Sequence, residues 1–443
     1  MRRRAFLRSA SLAGLSFPFL FSSCSDLKSK TPNILLIMAD DLGYECIGAN
    51  GGEYHTPVLD QLAAAGARFE NCHAQPLCTP SRVKIMTGIS NIRNYREFGV
   101  LDRDQTTFAH LFKRQGYSTC VAGKWQLGKE PDSPRHFGFE ESCLWQHTRG
   151  RIDTEGHDTR YPNPHLEVNG EPVDYENGEF GPDVVSDYLC DFFERNQDQP
   201  FFAYYPMILS HWPFSPTPDS PDWNASMPDS LRDRGDARYF GDIVSYMDKM
   251  IGKLVNKLEI LGLRENTLVI FTGDNGTSLP IISDLNGRQV AGAKGNTTDA
   301  GTRVPLIANW PGVIPPGRVC DDLVDFSDML PTLCDAADIH IPKVPQLDGI
   351  SFWPQLRGKP GAPREYIYIW YSRSGKDEEA RAFARTHRYK LYRNGEFYNL
   401  ENDVLEEQPL PADTLSAESL RVKNRLQQVI DSSASRYREL VTN

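Results

Sequence analysis

Cys78 stands in the stretch Leu77-Cys78-Thr79-Pro80-Ser81-Arg82-Val83-Lys84-Ile85-Met86-Thr87-Gly88, just before a proline and a predicted helix start. A side chain there faces unpaired backbone N–H groups and the positive end of the helix dipole, which together attract anions. Arg82, one turn further on, can face the same site. A free cysteine on a helix is ordinarily a small buried hydrophobe, so this stretch alone does not define a reaction. Two acidic groups add to it. Asp40 and Asp41 close the apolar run Asn33-Ile34-Leu35-Leu36-Ile37-Met38-Ala39, and Asp274 and Asn275 follow Thr267-Leu268-Val269-Ile270-Phe271-Thr272. Their side-chain oxygens are the ligands a hard divalent cation takes. Such a cation can acidify a bound nucleophile and polarise the ester of an anionic acid. Acidic residues also cap strand ends without further role. Their arrival after two buried runs, on either side of Cys78 in the sequence, favours ligation.

Groups so far apart in sequence need a rigid frame to meet. The runs 33–39 and 267–272 are continuously apolar, the pattern of strands buried on both faces in a mainly parallel sheet covered by helices. In such sheets ligands bind at the carboxyl ends of the strands, where the acidic residues lie. Further strands are predicted at 117–122, 201–205 and 304–309. Helices are predicted at 56–65, with Thr56 as cap and Pro57 first, and at 108–115, 184–194 and 322–337. Ile243, Val244, Met247, Met250, Ile251, Leu254, Val255 and Leu258 mark a long core helix by their spacing. Residues 131–181, rich in Pro, Gly, Asn, His and Arg, show little periodicity and read as substrate-side loops. A Pro-rich stretch at 341–363 marks a boundary. Beyond it, 365–400 alternates aromatic and β-branched runs with turns such as Asn394-Gly395, predicting an antiparallel sheet, and 416–440 a closing helix. The expected division is 1–24 export signal, 32–350 catalytic domain and 364–443 C-terminal subdomain.

With 443 residues, 40% hydrophobic and 11% aromatic, the chain can bury a substantial core. Its formal net charge of -11 argues against nucleic acid as a partner. An acidic protein that binds an anion must gather its cations locally, because charges beyond about 8–10 Å are screened at physiological salt. The nine cysteines show neither a CxxC pair nor metal-finger spacing, and spacing assigns no disulfide. Arg2-Arg3-Arg4, a short apolar run at 12–21 and Ser22-Ser23-Cys24-Ser25 form an export signal. Arg3-Arg4-Ala5-Phe6-Leu7-Arg8 resembles a twin-arginine signal. Phe21-Ser22-Ser23-Cys24 resembles a bacterial lipobox, which would anchor the mature chain to a membrane through a lipid on Cys24; plain secretion is the alternative. The apolar run is too short to span a membrane. The expected location is the periplasm or the outer surface, reached through the export machinery.

Cys-x-Pro-Ser-Arg followed by Thr-Gly resembles the signature of type I sulfatases. So do Asp40-Asp41, Gly123-Lys124-Trp125-Gln126-Leu127-Gly128, Ser210-His211-Trp212-Pro213, Gly292-Ala293-Lys294-Gly295 and the segment Gly301-Thr302-Arg303-Val304-Pro305. The resemblance runs in the family's order from about residue 32 to 400. It implies an alkaline-phosphatase-like α/β fold: a large domain with a mainly parallel sheet between helices, and a smaller C-terminal domain with an antiparallel sheet and a helix. It also implies sulfate ester hydrolysis, with Cys78 oxidised by a maturation enzyme to formylglycine, whose hydrated aldehyde attacks sulfur. One Ca2+ per chain would be held by Asp40, Asp41, Asp274, Asn275 and the converted Cys78. Arg82 would neutralise charge beside the formylglycine, Lys124 and Lys294 would contact the sulfate, and Arg303 would be structural. The chain departs from the family at Gln126, where histidine is usual. Glutamine can hydrogen-bond but cannot take up a proton near neutral pH. His211, on the leaving-group side, is then the candidate general acid.

The expected substrate is a sulfated carbohydrate. Asn91, Arg93 and Asn94, with Trp145, His147, Arg149, Arg151, His157 and Arg160, offer aromatic faces and forked donors suited to sugars and their anionic substituents. Two alternatives stay open. One is a phosphodiesterase or phosphonate hydrolase of the same superfamily; the other is a silent glycan-binding protein in which Cys78 remains a thiol.

Overall fold

The computed structural model describes residues 31–343 and 346–441. The export-signal reading, with Cys24, lies outside the described residues. The first run becomes Asn33–Ala39 (β1), buried along its whole length. Ala67–His73 (β2), Ser118–Lys124 (β3), Glu141–Trp145 (β4), His165–Val168 (β5), Glu171–Asp174 (β6), Phe201–Pro206 (β7) and Thr267–Gly273 (β8) follow. After a separate hairpin of Ile282–Leu285 (β9) and Arg288–Ala291 (β10), the chain adds Arg303–Asn309 (β11) and Arg318–Asp325 (β12). Ten of these strands form one sheet in the order β12-β2-β11-β8-β1-β7-β3-β4-β5-β6. At its centre β8, β1, β7, β3 and β4 are mutually parallel, so their carboxyl ends share one edge.

Alternate residues of a doubly buried strand serve two helical layers. Ile34, Leu36 and Met38 pack with Val83, Phe108, Phe112 and Leu333; Leu35 and Ile37 pack with Leu189, Phe193, Met247 and Leu254. Each such side chain contributes roughly 1.5–3 kcal/mol by leaving water, which is why the apolar run is unbroken by polar residues. The long core helix is Phe240–Ile260.

Two expectations change. Residues 131–181 are not all loop, because β4, β5 and β6 extend the sheet through them. The last strand is short and largely exposed, so no apolar period marks it. Residues 322–325 complete the edge strand β12, and the helix begins only at Met329. There the Asp325 side chain accepts the Ser327 N–H and caps the turn between them.

Ile367–Tyr371 (β13), Arg381–Arg385 (β14), Tyr389–Tyr392 (β15) and Phe397–Asn399 (β16) form the expected antiparallel sheet. Leu426, Val429 and Ile430 of the Ala417–Val441 helix cover one face through Ala384, Leu391 and Phe397. Trp370 and Ala382 join the core of the main sheet. None of the eight described cysteines is in a disulfide.

Gly123 closes β3 with φ of 124°, and a Cβ there would stand 1.9 Å from the Pro206 carbonyl oxygen. Only glycine lets β3 end against β7 and deliver Lys124 to the sheet edge. Gly123→Ala is expected to destabilise the protein by about 2–4 kcal/mol, from overpacking and backbone strain together, read as a lowered urea midpoint at unchanged m-value.

Candidate active site

Register brings the acidic strand ends together. Asp274 N–H donates to the Ala39 carbonyl at 2.9 Å, one rung beyond the β1–β8 pairing. Asp41 N–H donates to Asp274 Oδ1 at 3.0 Å. Cys78 opens the Cys78–Thr87 helix, every residue of which is buried, and Gly88 ends it in the left-handed region. A buried Lys84–Asp325 pair at 2.5 Å ties the helix to the end of β12. One ligand atom each from Asp40, Cys78 and Asp274 lies within 4.8 Å of the others. The convergence expected from sequence is therefore present.

Three buried carboxylates in one place demand counter-charge. Lys124 Nζ meets Asp40 at 2.7 and 3.1 Å. Arg82 Nη2 donates to Asp274 Oδ2 at 3.0 Å and stands 3.7 Å from Asp40. Lys294 Nζ donates to Asp41 Oδ2 at 2.5 Å. Burial pushes the Asp40 carboxyl up, but Lys124, His211 and Arg82 outweigh it and hold the group well below the usual range. Against the same burial, Lys294 and His211 hold Asp41 at about 2. Asp274 is pushed up to about 7 by burial and then by the neighbouring Asp40. Three cations thus face three carboxylates in a site closed to water. Asn275 Nδ2 donates to Asp41 Oδ1 and the Gly276 carbonyl, both at 2.9 Å, while its Oδ1 is buried without a partner. Clustered carboxylates beside an orphaned carbonyl oxygen fit a hard divalent cation. Asp40, Asp41, Asp274 and Asn275 would hold it next to the Cys78 position.

Beside this cluster opens a cleft of about 350 Å³, lined by Cys78, Lys124, Gln126, His211 and Lys294 together with Leu77, Phe98, Trp145, Gln146, Arg151, Arg160 and Arg373. His211 Nδ1 lies 2.6 Å from the Trp212 carbonyl and Nε2 3.1 Å from Lys294 Nζ. Those partners assign the neutral tautomer, with Nδ1–H donating and Nε2 accepting. Burial first, and then Lys294, press the imidazole down to about 3 against the pull of Asp41 and Asp40. Arg160 grips Asp158 with Nε at 2.9 Å and Nη2 at 3.0 Å, stacks 4.5 Å over the Trp145 ring, and donates from Nη1 to the Trp212 carbonyl that His211 Nδ1 also faces. It braces that carbonyl as much as it walls the cleft. Gln126 has φ of 57°, and its Oε1 is buried without a partner.

Other sequence candidates lie elsewhere. Asn91 Nδ2 donates to the Pro80 carbonyl at 2.9 Å and pins the Cys78 helix. Arg93 pairs with Asp348 at 2.8 Å, Asn94 donates to Thr87 Oγ1 at 2.9 Å, and Arg149 pairs with Asp174. His147 Nε2 lies 2.9 Å from the Glu130 carbonyl, and His157 Nδ1 is 3.0 Å from Asp233. Asn91, Arg93, His147 and Arg149 are thus corrected from sugar contacts to loop and helix braces, because protein groups take up their donors and none lines the cleft. Arg303 is structural, donating to the Glu70 carbonyl at 2.7 Å and lying 3.7 Å over the Tyr44 ring. Phe98, Gln146 and Arg373 went unnoticed in the sequence. Phe98 and Gln146 carry no local signal, and Arg373 reaches the cleft only because the antiparallel sheet docks there.

A parallel α/β sheet with an acidic strand-end cluster beside a cation-walled cleft is the architecture of the alkaline-phosphatase-like hydrolases. Residues 32–339 match the sulfatase family, and residues 294–436 match the C-terminal region of N-sulphoglucosamine sulphohydrolase. The chain is 34% identical over 403 residues to human arylsulfatase A, covering 82% of this chain and 75% of that protein. It is 32% identical over 374 residues to canine N-acetylgalactosamine-6-sulfatase, covering 76% and 68%. The crystal structure of Ps i-CgsB in complex with k-i-k-neocarrahexaose aligns with a TM-score of 0.75 at 25% identity, over 91% of this chain and 93% of that one. The chain belongs to the sulfatase family and is a sulfuric ester hydrolase.

Arg82→Ala strips Asp274 and Asp40 of a buried partner. A loss of about 3–5 kcal/mol is expected in urea unfolding with chelator present, shrinking when a divalent cation is supplied.

Proposed function

We propose that this protein removes O-sulfate groups from the sugars of a sulfated glycan, with Cys78 converted to formylglycine and one Ca2+ held by Asp40, Asp41, Asp274 and Asn275. The observation that carries the reading is the meeting of three buried carboxylates, an orphaned Asn275 Oδ1 and the Cys78 helix start beside one cationic cleft. When present, the two groups supply a Lewis acid and an oxygen nucleophile. The chain's own residues do the rest. Lys124 and Lys294 turn toward the sulfate oxygens as compact cations. Arg82 keeps Asp274 and Asp40 in place. Gln126 offers a hydrogen bond beside residue 78 but moves no proton.

His211 acts on the leaving sugar hydroxyl. In the free site its Nε2 accepts from Lys294. An anionic ester draws off that ammonium and adds negative charge beside an imidazole that burial and then Lys294 keep neutral, so Nε2 can carry the proton the alcohol needs. A sugar substrate accords with the names of the relatives, one a galactosamine sulfatase and one complexed with a carrageenan-type saccharide. Export to the periplasm or outer surface, with Cys24 as lipid anchor, belongs to the same reading.

The test is a screen of sulfated mono- and oligosaccharides with protein matured in its converting host. Mass analysis of the Cys78 peptide should find sulfur replaced by oxygen. Cys78→Ala should abolish turnover; retained hydrolysis would refute the nucleophile. Ca2+ at about 100 times its Kd should add about 2.7 kcal/mol of stability, and Gln126→Ala should slow turnover while keeping that gain. His211→Ala should lower kcat about 10²–10⁴-fold on a sugar sulfate and far less on an aryl sulfate, whose phenol leaves unaided. Equal losses on both would remove His211 from the acid role.

A further inference from the structure

The cleft carries more positive charge than one sulfate ester needs, and the surplus is at its exposed rim. Lys124, Lys294 and Arg160 are each paired with an aspartate. Arg151 and Arg373 line the same cleft and are exposed, and among the described residues neither forms an ion pair. Two guanidiniums without a carboxylate partner thus face the mouth of one cleft, with their donors left for a ligand.

Both are held by built contacts. The Arg151 carbonyl accepts the Thr159 N–H at 3.0 Å, and Thr159 Oγ1 accepts from the Trp145 indole at 3.1 Å, which fixes Arg151 to a cleft wall. The Arg373 carbonyl accepts from the buried Tyr95 hydroxyl at 3.0 Å, and its guanidinium carbon lies 5.2 Å from the centre of the Phe98 ring. The Phe98 turn is itself tied to the catalytic helix, since Gly99 N–H donates to Thr79 Oγ1 at 3.1 Å. Gly375, with φ of 79°, lets the Arg373 segment press on that turn; a Cβ would sit 1.6 Å from the Arg96 carbonyl oxygen. A guanidinium backed by a ring, with its donor fork unclaimed by protein carboxylates, is suited to bidentate capture of an oxyanion.

We propose that Arg151 and Arg373 form a second oxyanion-binding position at the rim of the cleft, taking a carboxylate or a further sulfate on the same saccharide whose ester sulfate enters the site. The inference rests on the sugar-sulfate reading and narrows it to saccharides with at least two negative charges.

The experiment uses two pairs that differ in the second anion. N-acetylgalactosamine 6-sulfate against the chondroitin 6-sulfate disaccharide tests a carboxylate, and N-acetylglucosamine 6-sulfate against glucosamine 2-N,6-O-disulfate tests a sulfate. Matured wild type is expected to favour the doubly charged member of at least one pair by about 10- to 100-fold in kcat/KM. Arg373→Ala and Arg151→Ala should each cut that ratio by at least tenfold, and Arg373→Lys should recover only part. Calorimetric binding to the Cys78→Ala protein gives the same comparison without turnover. No preference in either pair, or a preference that survives both substitutions, overturns the inference. Failure of matured wild type to hydrolyse any sulfated sugar, while it still cleaves an aryl sulfate, overturns the sugar reading instead, and the binding ratio decides the rim separately.

Discussion

Mutual repulsion among Asp40, Asp41 and Asp274, sealed from water at the ends of two strands, is the constraint around which this molecule is built. Buried carboxylates are tolerated only with partners, and the chain supplies one cation to each from a different element. Lys124 comes from β3, Arg82 from the Cys78 helix and Lys294 from the segment before β11. The raised Asp274 carboxyl and the unpartnered Asn275 oxygen mark where that balance is weakest. There the site is receptive to a divalent ion.

The C-terminal sheet takes part in this balance. Arg385 grips Asp299 at 2.7 Å, and buried Lys390 donates to the Thr297 carbonyl at 2.6 Å and to Glu406 at 2.7 Å. Asp299 and Thr297 lie within a few residues of Lys294, so the small sheet steadies the loop that delivers that ammonium. It also supplies Arg373 to the cleft. The walls of the cleft and their supports thus come from both parts of the chain.

Much of this was legible in the sequence because it rests on local signals. Unbroken apolar runs marked β1 and β8, and their terminal acids marked the strand-end site. Cys78 and Arg82 were placed by the proline-initiated helix. What escaped depended on contacts distant in sequence. The strand β6 lies at the sheet edge where exposed positions erase the period, and β5 beside it is only four residues long. Asn91, Arg93, His147 and Arg149 looked available for sugar because sequence cannot show a donor already claimed by Pro80, Asp348, Glu130 or Asp174. Arg160 carried the right chemistry, but its grip on Asp158 and its bond to the Trp212 carbonyl needed coordinates.

The helix that begins at Cys78 is enclosed over all ten of its residues, and Cys78 itself is 2% exposed. No modifying enzyme could grasp that segment once the sheet has closed over it. The proposed oxidation must then happen while the nascent polypeptide is still open, near the ribosome, and a secretion route that carries only finished globules would require it to be complete before departure. Biogenesis of an active molecule becomes a race between chemistry and collapse, decided by how deeply one helix is buried.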